Sequence, residues 1–253
     1  MQLLLTGATG AAHECYYVAG LAIYRAALAD PAITRITLLT RRAIPEWTVL
    51  PESAASKTAV ILHDDLTSYP PELARHLAVH DACIWALGRS AVGVGEQEYT
   101  TFTHDYLIAA VHAIQEARVG EGRQAESPFR FVYLSGEGAD PTGKTTQMWA
   151  RVKGRTESEL IELCKSSPGM KAHVYRPGYF FPSKRYPEDR KNQRPASARA
   201  MDWAITPIMS CFLPSLLTPI DDLAHFTIEV AKGRWPDDDL FVNKQMRELV
   251  KDI

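Results

Sequence analysis

Two groups of residues near the start of the chain have the chemistry to bind a phosphorylated ligand. Gly7, Thr9 and Gly10 lie in a turn of small residues (TGATG) between an apolar run and a helix-like segment. Such a turn offers backbone N–H groups and a helix N-terminus to a pyrophosphate. Arg41 and Arg42 follow a second apolar run, and guanidinium groups there suit a ribose 2′-phosphate. Unless Arg41 and Arg42 are simply surface arginines, these residues predict a dinucleotide site that prefers NADP to NAD.

The glycine turn departs from the usual spacing of a dinucleotide-binding motif, which has a third glycine three residues after the second. That position holds His13, and the next glycine is Gly20. Omission of residues 11–17 (AAHECYY) restores the expected spacing, so we interpret them as an insertion of about two helical turns. If the insertion is helical, Gly20 keeps its face of the helix. If it is a loop, it lies over the pyrophosphate site.

The predicted elements that position these residues alternate along the chain. Short apolar runs predict strands at residues 3–5, 36–39, 59–62, 82–87, 129–134 and 172–175. Helical patterns cover residues 21–29, 71–79, 99–117, 147–164 and 221–232. This alternation predicts an α/β fold with a doubly wound, mostly parallel sheet of the Rossmann type. We expect a single domain over residues 1–253, with substrate-side elements over about 179–253.

The carboxyl ends of the predicted strands supply further cofactor candidates, because ligands of open parallel sheets bind at that edge. Asp65 and Leu66 follow the third strand and are candidates to lie beside the adenine. Ala86, Leu87 and Gly88 end the fourth strand and are candidates to lie beside the ribose and pyrophosphate.

The sequence resembles the atypical short-chain dehydrogenases/reductases, in particular the NAD(P)H-binding group with NmrA-like and Tat-interacting-protein-like members. The resemblance covers roughly residues 1–232 and rests on blocks in the family's order: LTGATG (5–10), LTRR (39–42), WALG (85–88), YLSGEGAD (133–140), VKG (152–154) and YRPG (175–178). It implies a nicotinamide cofactor, with Pro177 and Gly178 among its contacts, and oxidoreductase activity on a small organic substrate.

The resemblance also implies catalytic residues. In the wider superfamily a serine, and a tyrosine four residues before a lysine, carry hydride chemistry, because the lysine lowers the pKa of the tyrosine. Ser135 matches the serine, and Lys153 matches the lysine, either as a catalytic group or only as a contact to the cofactor ribose. The tyrosine position holds Trp149, whose indole N–H cannot act as a general acid near neutral pH. Tyr179 is therefore our candidate proton donor.

Tyr133 and Thr145 are alternative proton donors. Three functions stay open at this point. The first is an NADP-dependent oxidoreductase. The second is an isomerase, a cyclase or an eliminating enzyme on the same fold, with Trp149 shaping an apolar cavity. The third is a catalytically silent regulator that binds NADP and a protein partner.

Composition limits the partners and the expected location. A net charge of −2 gives no electrostatic basis for binding nucleic acid. Four scattered cysteines without a CxxC pair predict reduced thiols, and no basic segment precedes the first apolar run, so we expect a cytoplasmic protein. The sequence is compatible with a monomer or a homodimer.

Two late segments have alternative interpretations. Residues 204–220 are apolar but contain three prolines and are shorter than the roughly 20 residues of a membrane span. We expect no membrane span there, and interpret the segment as core or as a substrate lid. The strongly charged residues 183–199 are either a solvated excursion or a flap beside the substrate site.

Overall fold

The structure, a computed structural model, describes residues 1–9, 16–180, 182–193 and 216–253. In these residues seven strands form one sheet: β1 (Gln2–Thr6), β2 (Arg35–Thr40), β3 (Thr58–Leu62), β4 (Ala82–Trp85), β5 (Phe129–Leu134), β6 (Met170–Arg176) and β7 (Leu240–Val242). The strand order is β3-β2-β1-β4-β5-β6-β7, and every neighbouring pair is parallel. The predicted doubly wound sheet is confirmed.

The helices of the described residues connect these strands. They are α1 (Tyr16–Ala29), α2 (Ala54–Lys57), α3 (Pro71–Ala78), α4 (Glu96–Thr100), α5 (Tyr106–Glu116), α6 (Met148–Lys165), α7 (Pro187–Gln193), α8 (Ile220–Lys232) and α9 (Asn243–Leu249). A π-helical turn, Thr101–Asp105, joins α4 to α5. Among these helices, none combines the length and the apolar character needed to cross a bilayer.

The sheet is covered on both faces, as its uninterrupted apolar strands require. Successive side chains of a strand point to opposite faces. Leu3 and Leu5 therefore pack with α1 and α8, whereas Leu4 packs on the other face with α3, α5 and α6. Each fully buried leucine contributes roughly 1.5–3 kcal/mol relative to an exposed one. The two cores hold the carboxyl ends of the strands in one row.

Strand order reverses at β1, which pairs with β2 on one side and with β4 on the other. The chain leaves β1 and β4 towards opposite sides of this point, which opens a crevice at the carboxyl edge of the sheet. Thr6, Thr40 and Trp85 are the last residues of the strands around the crevice. The glycine turn and the two arginines follow directly from these strand ends.

The C-terminal end of α1 is held firmly to the rest of the fold. The Lys57 ammonium donates hydrogen bonds to the carbonyl oxygens of Ala27 (2.8 Å), Leu28 (3.0 Å) and Asp30 (2.7 Å). These carbonyls have no partner within a helix that ends here, so the lysine satisfies them and its charge suits the helix dipole.

A second anchor of α1 is the buried Arg25, which pairs through both terminal nitrogens with the Asp189 carboxylate of α7. The ring of Tyr186 lies 3.6 Å from the Arg25 guanidinium carbon. The described part of the charged segment, residues 183–193, is thus fastened to α1.

Several elements differ from the sequence predictions. α1 begins at Tyr16, so the last two residues of the 11–17 insertion are helical, and residues 10–15 lie outside the described residues. The helix predicted over 99–117 is divided by the π-helical turn. Strand β7 and helix α2 had no counterpart among the predictions. Residues 194–215, which include most of the apolar 204–220 stretch, also lie outside the described residues.

Candidate functional site

The glycine turn is defined by two close backbone contacts. Gly7 has φ +78°, and a Cβ there would lie 2.2 Å from the carbonyl oxygen of Ala86. A Cβ on Gly20 would lie 2.2 Å from the carbonyl oxygen of Gly7. The turn is therefore pressed between the end of β4 and the first turns of α1, as the third glycine of a dinucleotide motif allows. Gly10 lies outside the described residues, so its contact with a cofactor stays a prediction.

A small pocket opens beside this turn, at the carboxyl ends of β1, β2 and β4. Two of its lining residues, Leu39 and Thr40, were not predicted to contact a cofactor. The others are among the predicted cofactor residues: Gly7, Thr9, Arg41, Arg42, Leu66 and Leu87. The Thr9 and Thr40 hydroxyls form a buried hydrogen bond with each other. The Thr40 hydroxyl donates in turn to the Arg42 carbonyl oxygen at 3.0 Å. The glycine turn is thus tied to the segment that carries both arginines.

Asp65 has a structural task beside the pocket. Its Oδ1 accepts hydrogen bonds from the Thr67 hydroxyl (2.5 Å) and the Thr67 backbone N–H (3.0 Å). These bonds lower the pKa of the Asp65 carboxyl and fix the turn after β3. The neighbouring Leu66 lines the pocket, and so does Leu87, which precedes Gly88. Cofactor contacts of Asp65 and Gly88 stay predictions.

The structure brings Ser135 and Lys153 together. Lys153 is 4% exposed, and its ammonium donates a hydrogen bond to the Ser135 backbone carbonyl at 2.7 Å. The Ser135 N–H donates to the carbonyl of Tyr175 at 2.8 Å, which fixes the serine at the end of the sheet. α6 can approach this closely because Gly154 has no Cβ: one there would lie 2.1 Å from the Asp140 carbonyl. A buried cation therefore lies directly beside the candidate catalytic serine.

Trp149 lies one helical turn before Lys153, on the same side of α6. A Cβ added to Gly138 would lie 3.1 Å from Cη2 of the indole, so the ring packs on the turn that follows β5. Gly138 has φ +89°, a conformation that favours glycine. The indole therefore lies against the turn after β5, and its N–H is not a proton donor of suitable pKa.

Tyr179 is held through its backbone. Its N–H donates to the Leu216 carbonyl (2.7 Å), and its carbonyl accepts from the Thr218 N–H (2.9 Å). The preceding Gly178 is needed for this pairing, since a Cβ there would lie 2.3 Å from the Leu216 carbonyl oxygen. The Pro177 carbonyl accepts a hydrogen bond from the Glu137 N–H at 2.9 Å. Proton transfer by Tyr179 and cofactor contacts by Pro177 and Gly178 stay predictions.

One residue near this region was missed by the sequence reasoning. Asn243, the first residue of α9, is fully buried. Its side-chain oxygen accepts from the Thr218 hydroxyl at 2.5 Å and from the Tyr175 hydroxyl at 3.4 Å, and its amide donates to the Leu217 carbonyl at 3.2 Å. It thereby fixes the segment that pairs with Tyr179. An isolated asparagine in a polar tail carries no sequence signal for this position.

A second missed pair fixes α6. Arg176, the last residue of β6, pairs with the buried Glu157 through two of its nitrogens. This hydrogen-bonded ion pair raises the pKa of Arg176. Glu157 lies one turn after Lys153, so the pair fixes the helix that carries the buried ammonium.

Two of the relatives found by comparison with known proteins are named after biosynthesis clusters. No family model matches it. It is 30% identical over 136 residues to botcinic acid biosynthesis cluster B protein 16 of Botryotinia fuckeliana, across 50% of this chain and 78% of the relative. It is 29% identical over 163 residues to leucinostatins biosynthesis cluster protein T of Purpureocillium lilacinum, across 64% of this chain. The chain spans about half of that second relative, 52% of its length.

Two solved structures with similar folds contain a nicotinamide cofactor. The RhlG/NADP complex of Pseudomonas aeruginosa has a TM-score of 0.61 at 17% identity, covering 96% of this chain and 94% of that chain. A 3-oxoacyl-[acyl-carrier protein] reductase of Brucella melitensis with NAD has a TM-score of 0.62 at 13% identity, covering 96% and 95%. These likenesses show a Rossmann-like α/β fold. From its similarity to more than two thirds of the Botryotinia protein, the chain belongs to the family of botcinic acid biosynthesis cluster B protein 16.

Proposed function

We propose that the chain is an NADP-dependent oxidoreductase of the atypical short-chain dehydrogenase/reductase type, in the NmrA-like group. It acts in the cytoplasm on a small organic substrate, as a tailoring reductase of a biosynthetic pathway. The observation that carries the proposal is the pocket between the glycine turn and the end of β2, which is lined by Arg41 and Arg42. The two relatives from biosynthesis clusters support a tailoring role.

The residues present fit a dinucleotide. Because Gly7 and Gly20 have no Cβ, the turn after β1 lies directly against both the end of β4 and the start of α1. A pyrophosphate site requires this close approach of the backbone. Arg41 and Arg42 offer planar cations for a 2′-phosphate in the same pocket. When bound, a nicotinamide cofactor supplies or accepts a hydride.

At the other end of the site, the chain contributes a buried cation and a serine. We assign Lys153 to the nicotinamide ribose, where its ammonium also holds the Ser135 backbone. The Ser135 hydroxyl is assigned to the substrate oxygen. Because Trp149 cannot supply a proton, the proton donor is Tyr179, with Tyr133 or Thr145 as alternatives.

Titration of the protein with NADPH and NADH, followed by tryptophan fluorescence, tests the cofactor assignment. We expect both nucleotides to bind and NADPH to bind more tightly, because only NADPH carries the 2′-phosphate. Binding of neither nucleotide would overturn the proposal. Turnover is then measured over a panel of aldehydes, ketones and quinones.

Trp149 supports a second candidate function, a non-redox isomerase or cyclase that keeps the same pocket. The two candidates differ in the effect of Trp149→Tyr. If the protein is a non-redox enzyme that has lost the usual proton donor, Trp149→Tyr oxidises NADPH in the presence of the aldehydes, ketones and quinones, whereas the wild type does not. Turnover by the wild-type protein, reduced in Tyr179→Phe, supports the oxidoreductase instead. A protein that binds NADPH and turns over nothing, with either residue at position 149, fits a regulator that binds a protein partner.

A further inference from the structure

Two arginines from different strand ends converge on one aromatic ring, and one of them, Arg41, lines the pocket beside the glycine turn. The guanidinium carbon of Arg41 lies 5.2 Å from the centroid of the Phe102 ring, and that of Arg89 lies 5.0 Å from it. Both distances are within the range of a cation–π contact. Arg41 follows β2, Arg89 follows β4, and Phe102 lies in the π-helical turn between α4 and α5. Three separate parts of the chain therefore meet at this ring.

The ring adjoins the pocket through Arg41. Arg41 itself lines the pocket, and so does Leu87, two residues before Arg89. A guanidinium group keeps its edge donors available while its plane contacts an aromatic ring. The Phe102 contacts therefore do not themselves use the hydrogen-bond donors of Arg41 and Arg89.

We propose that Arg89 is a second anchor for the 2′-phosphate of NADP, and that Phe102 is the positioning residue that holds Arg41 and Arg89 for this contact. The inference rests on the proposed function and extends it to residues outside the glycine turn and the Arg41–Arg42 pair. A phosphate monoester carries close to two negative charges at neutral pH, so cations from two strand ends stabilise it better than one.

Glu98 competes with the phosphate for Arg89. The Glu98 carboxylate pairs with the Arg89 guanidinium, and the two side chains are 56% and 30% exposed, respectively. An ion pair as exposed as this contributes little to stability, so a phosphate dianion displaces the carboxylate at small cost. Glu98 therefore opposes the binding of a 2′-phosphate. Removal of its charge is expected to make NADPH bind more tightly.

The test measures dissociation constants of NADPH and NADH for the full-length protein, because these nucleotides differ only in the 2′-phosphate. We expect Arg89→Met to weaken NADPH about tenfold, as for the loss of one charge-assisted contact, and to leave NADH unchanged. Phe102→Leu is expected to weaken NADPH about threefold and to leave NADH unchanged. Glu98→Gln is expected to tighten NADPH about threefold, a gain that a misfolded variant cannot produce.

Glu96→Gln is the matched control. Glu96 is also in α4 and pairs with an arginine of comparable exposure, Arg151 of α6, whose side chain is 31% exposed against 57% for Glu96. The control removes the same charge from the same helix but from a different pair, so both dissociation constants are expected to stay unchanged.

The outcomes separate this inference from the proposed function. If the wild-type protein binds NADPH and Arg89→Met keeps the same preference for NADPH over NADH, the role of Arg89 is contradicted and the NADP assignment is unaffected. Equal weakening of NADPH and NADH by Arg89→Met also overturns it, because the arginine then serves a part common to both nucleotides. If the wild-type protein binds neither nucleotide, the proposed function fails and this inference with it.

Discussion

Replacement of Gly20 by alanine tests the assignment of this residue as the displaced third glycine of the turn. The new Cβ would lie 2.2 Å from the Gly7 carbonyl oxygen, whereas Cβ atoms essentially never approach closer than 3.0 Å. α1 and the turn must therefore separate by close to an ångström. Overpacking of this kind costs about 1–3 kcal/mol. Alanine regains about 1 kcal/mol through its higher helix propensity.

The net loss of unfolding free energy in Gly20→Ala is thus about 1 kcal/mol, small for a buried site. The effect on cofactor binding is larger, because the same displacement moves the backbone N–H groups assigned to the pyrophosphate. Loss of one hydrogen bond to a charged group weakens binding by about tenfold or more. We therefore expect a variant that is folded and nearly as stable as the wild type, and in which the binding of NADPH and of NADH is weakened by the same factor.

Urea unfolding and fluorescence titration measure the two effects on the same preparation. Gly95→Ala is the control, because a Cβ on Gly95 meets nothing within 4 Å and its φ is −71°. Because Gly95 is the N-cap residue of the short helix α4, where glycine is preferred to alanine, we expect this control to lose up to about 1 kcal/mol and to bind nucleotides as the wild type does. Unaltered binding in Gly20→Ala would refute the close contact of α1 with the turn as the basis of the cofactor site.

Three further predictions concern buried polar groups. Asp189→Ala leaves the Arg25 cation buried without its carboxylate, so we expect the unfolding free energy to fall by about 3 kcal/mol in urea unfolding. The double variant Asp189→Ala/Arg25→Met should recover much of this loss, because it removes the unpaired charge. Burial lowers the pKa of His173 to about 4 from 6.5, so the unfolded chain takes up the proton first as the pH falls. The unfolding free energy therefore stays constant with respect to His173 above pH 6.5 and falls by about 3 kcal/mol between pH 6.5 and pH 4. In His173→Asn, urea unfolding curves recorded over this pH range should show a smaller decline. Asn243→Ala removes the partner of the Thr218 hydroxyl and should cost about 2 kcal/mol in urea unfolding, whereas an unchanged midpoint would contradict the buried network.

The parallel sheet could be predicted because its strands are short, apolar and separated by helical patterns, and this signal is local. The displaced Gly20 was also predictable, since the spacing of glycines records a close backbone contact that a Cβ would block. Strand β7, by contrast, has only three residues, and each of them pairs with a residue of β6 that lies 66 positions earlier in the sequence.

Side-chain partners distant in the sequence were beyond prediction for the same reason. Arg25 and Asp189 are 164 residues apart, and nothing in the local pattern of either residue marks it as buried. The contact of Arg41 and Arg89 with Phe102 likewise depends on the meeting of two strand ends and a π-helical turn. Sequence reasoning found the backbone motifs of the site, whereas the cations and amides that support them required the fold.

The attachment of α1 through Lys57 and Arg25 has an evolutionary consequence. Both contacts lie in the C-terminal half of the helix, far from the glycine turn. The rotational position of α1 is therefore fixed at its C-terminal end. A gain or loss of whole helical turns before Tyr16 leaves Gly20 facing Gly7. We expect homologues to vary in length between the second glycine and α1, while a small residue persists at the position of Gly20.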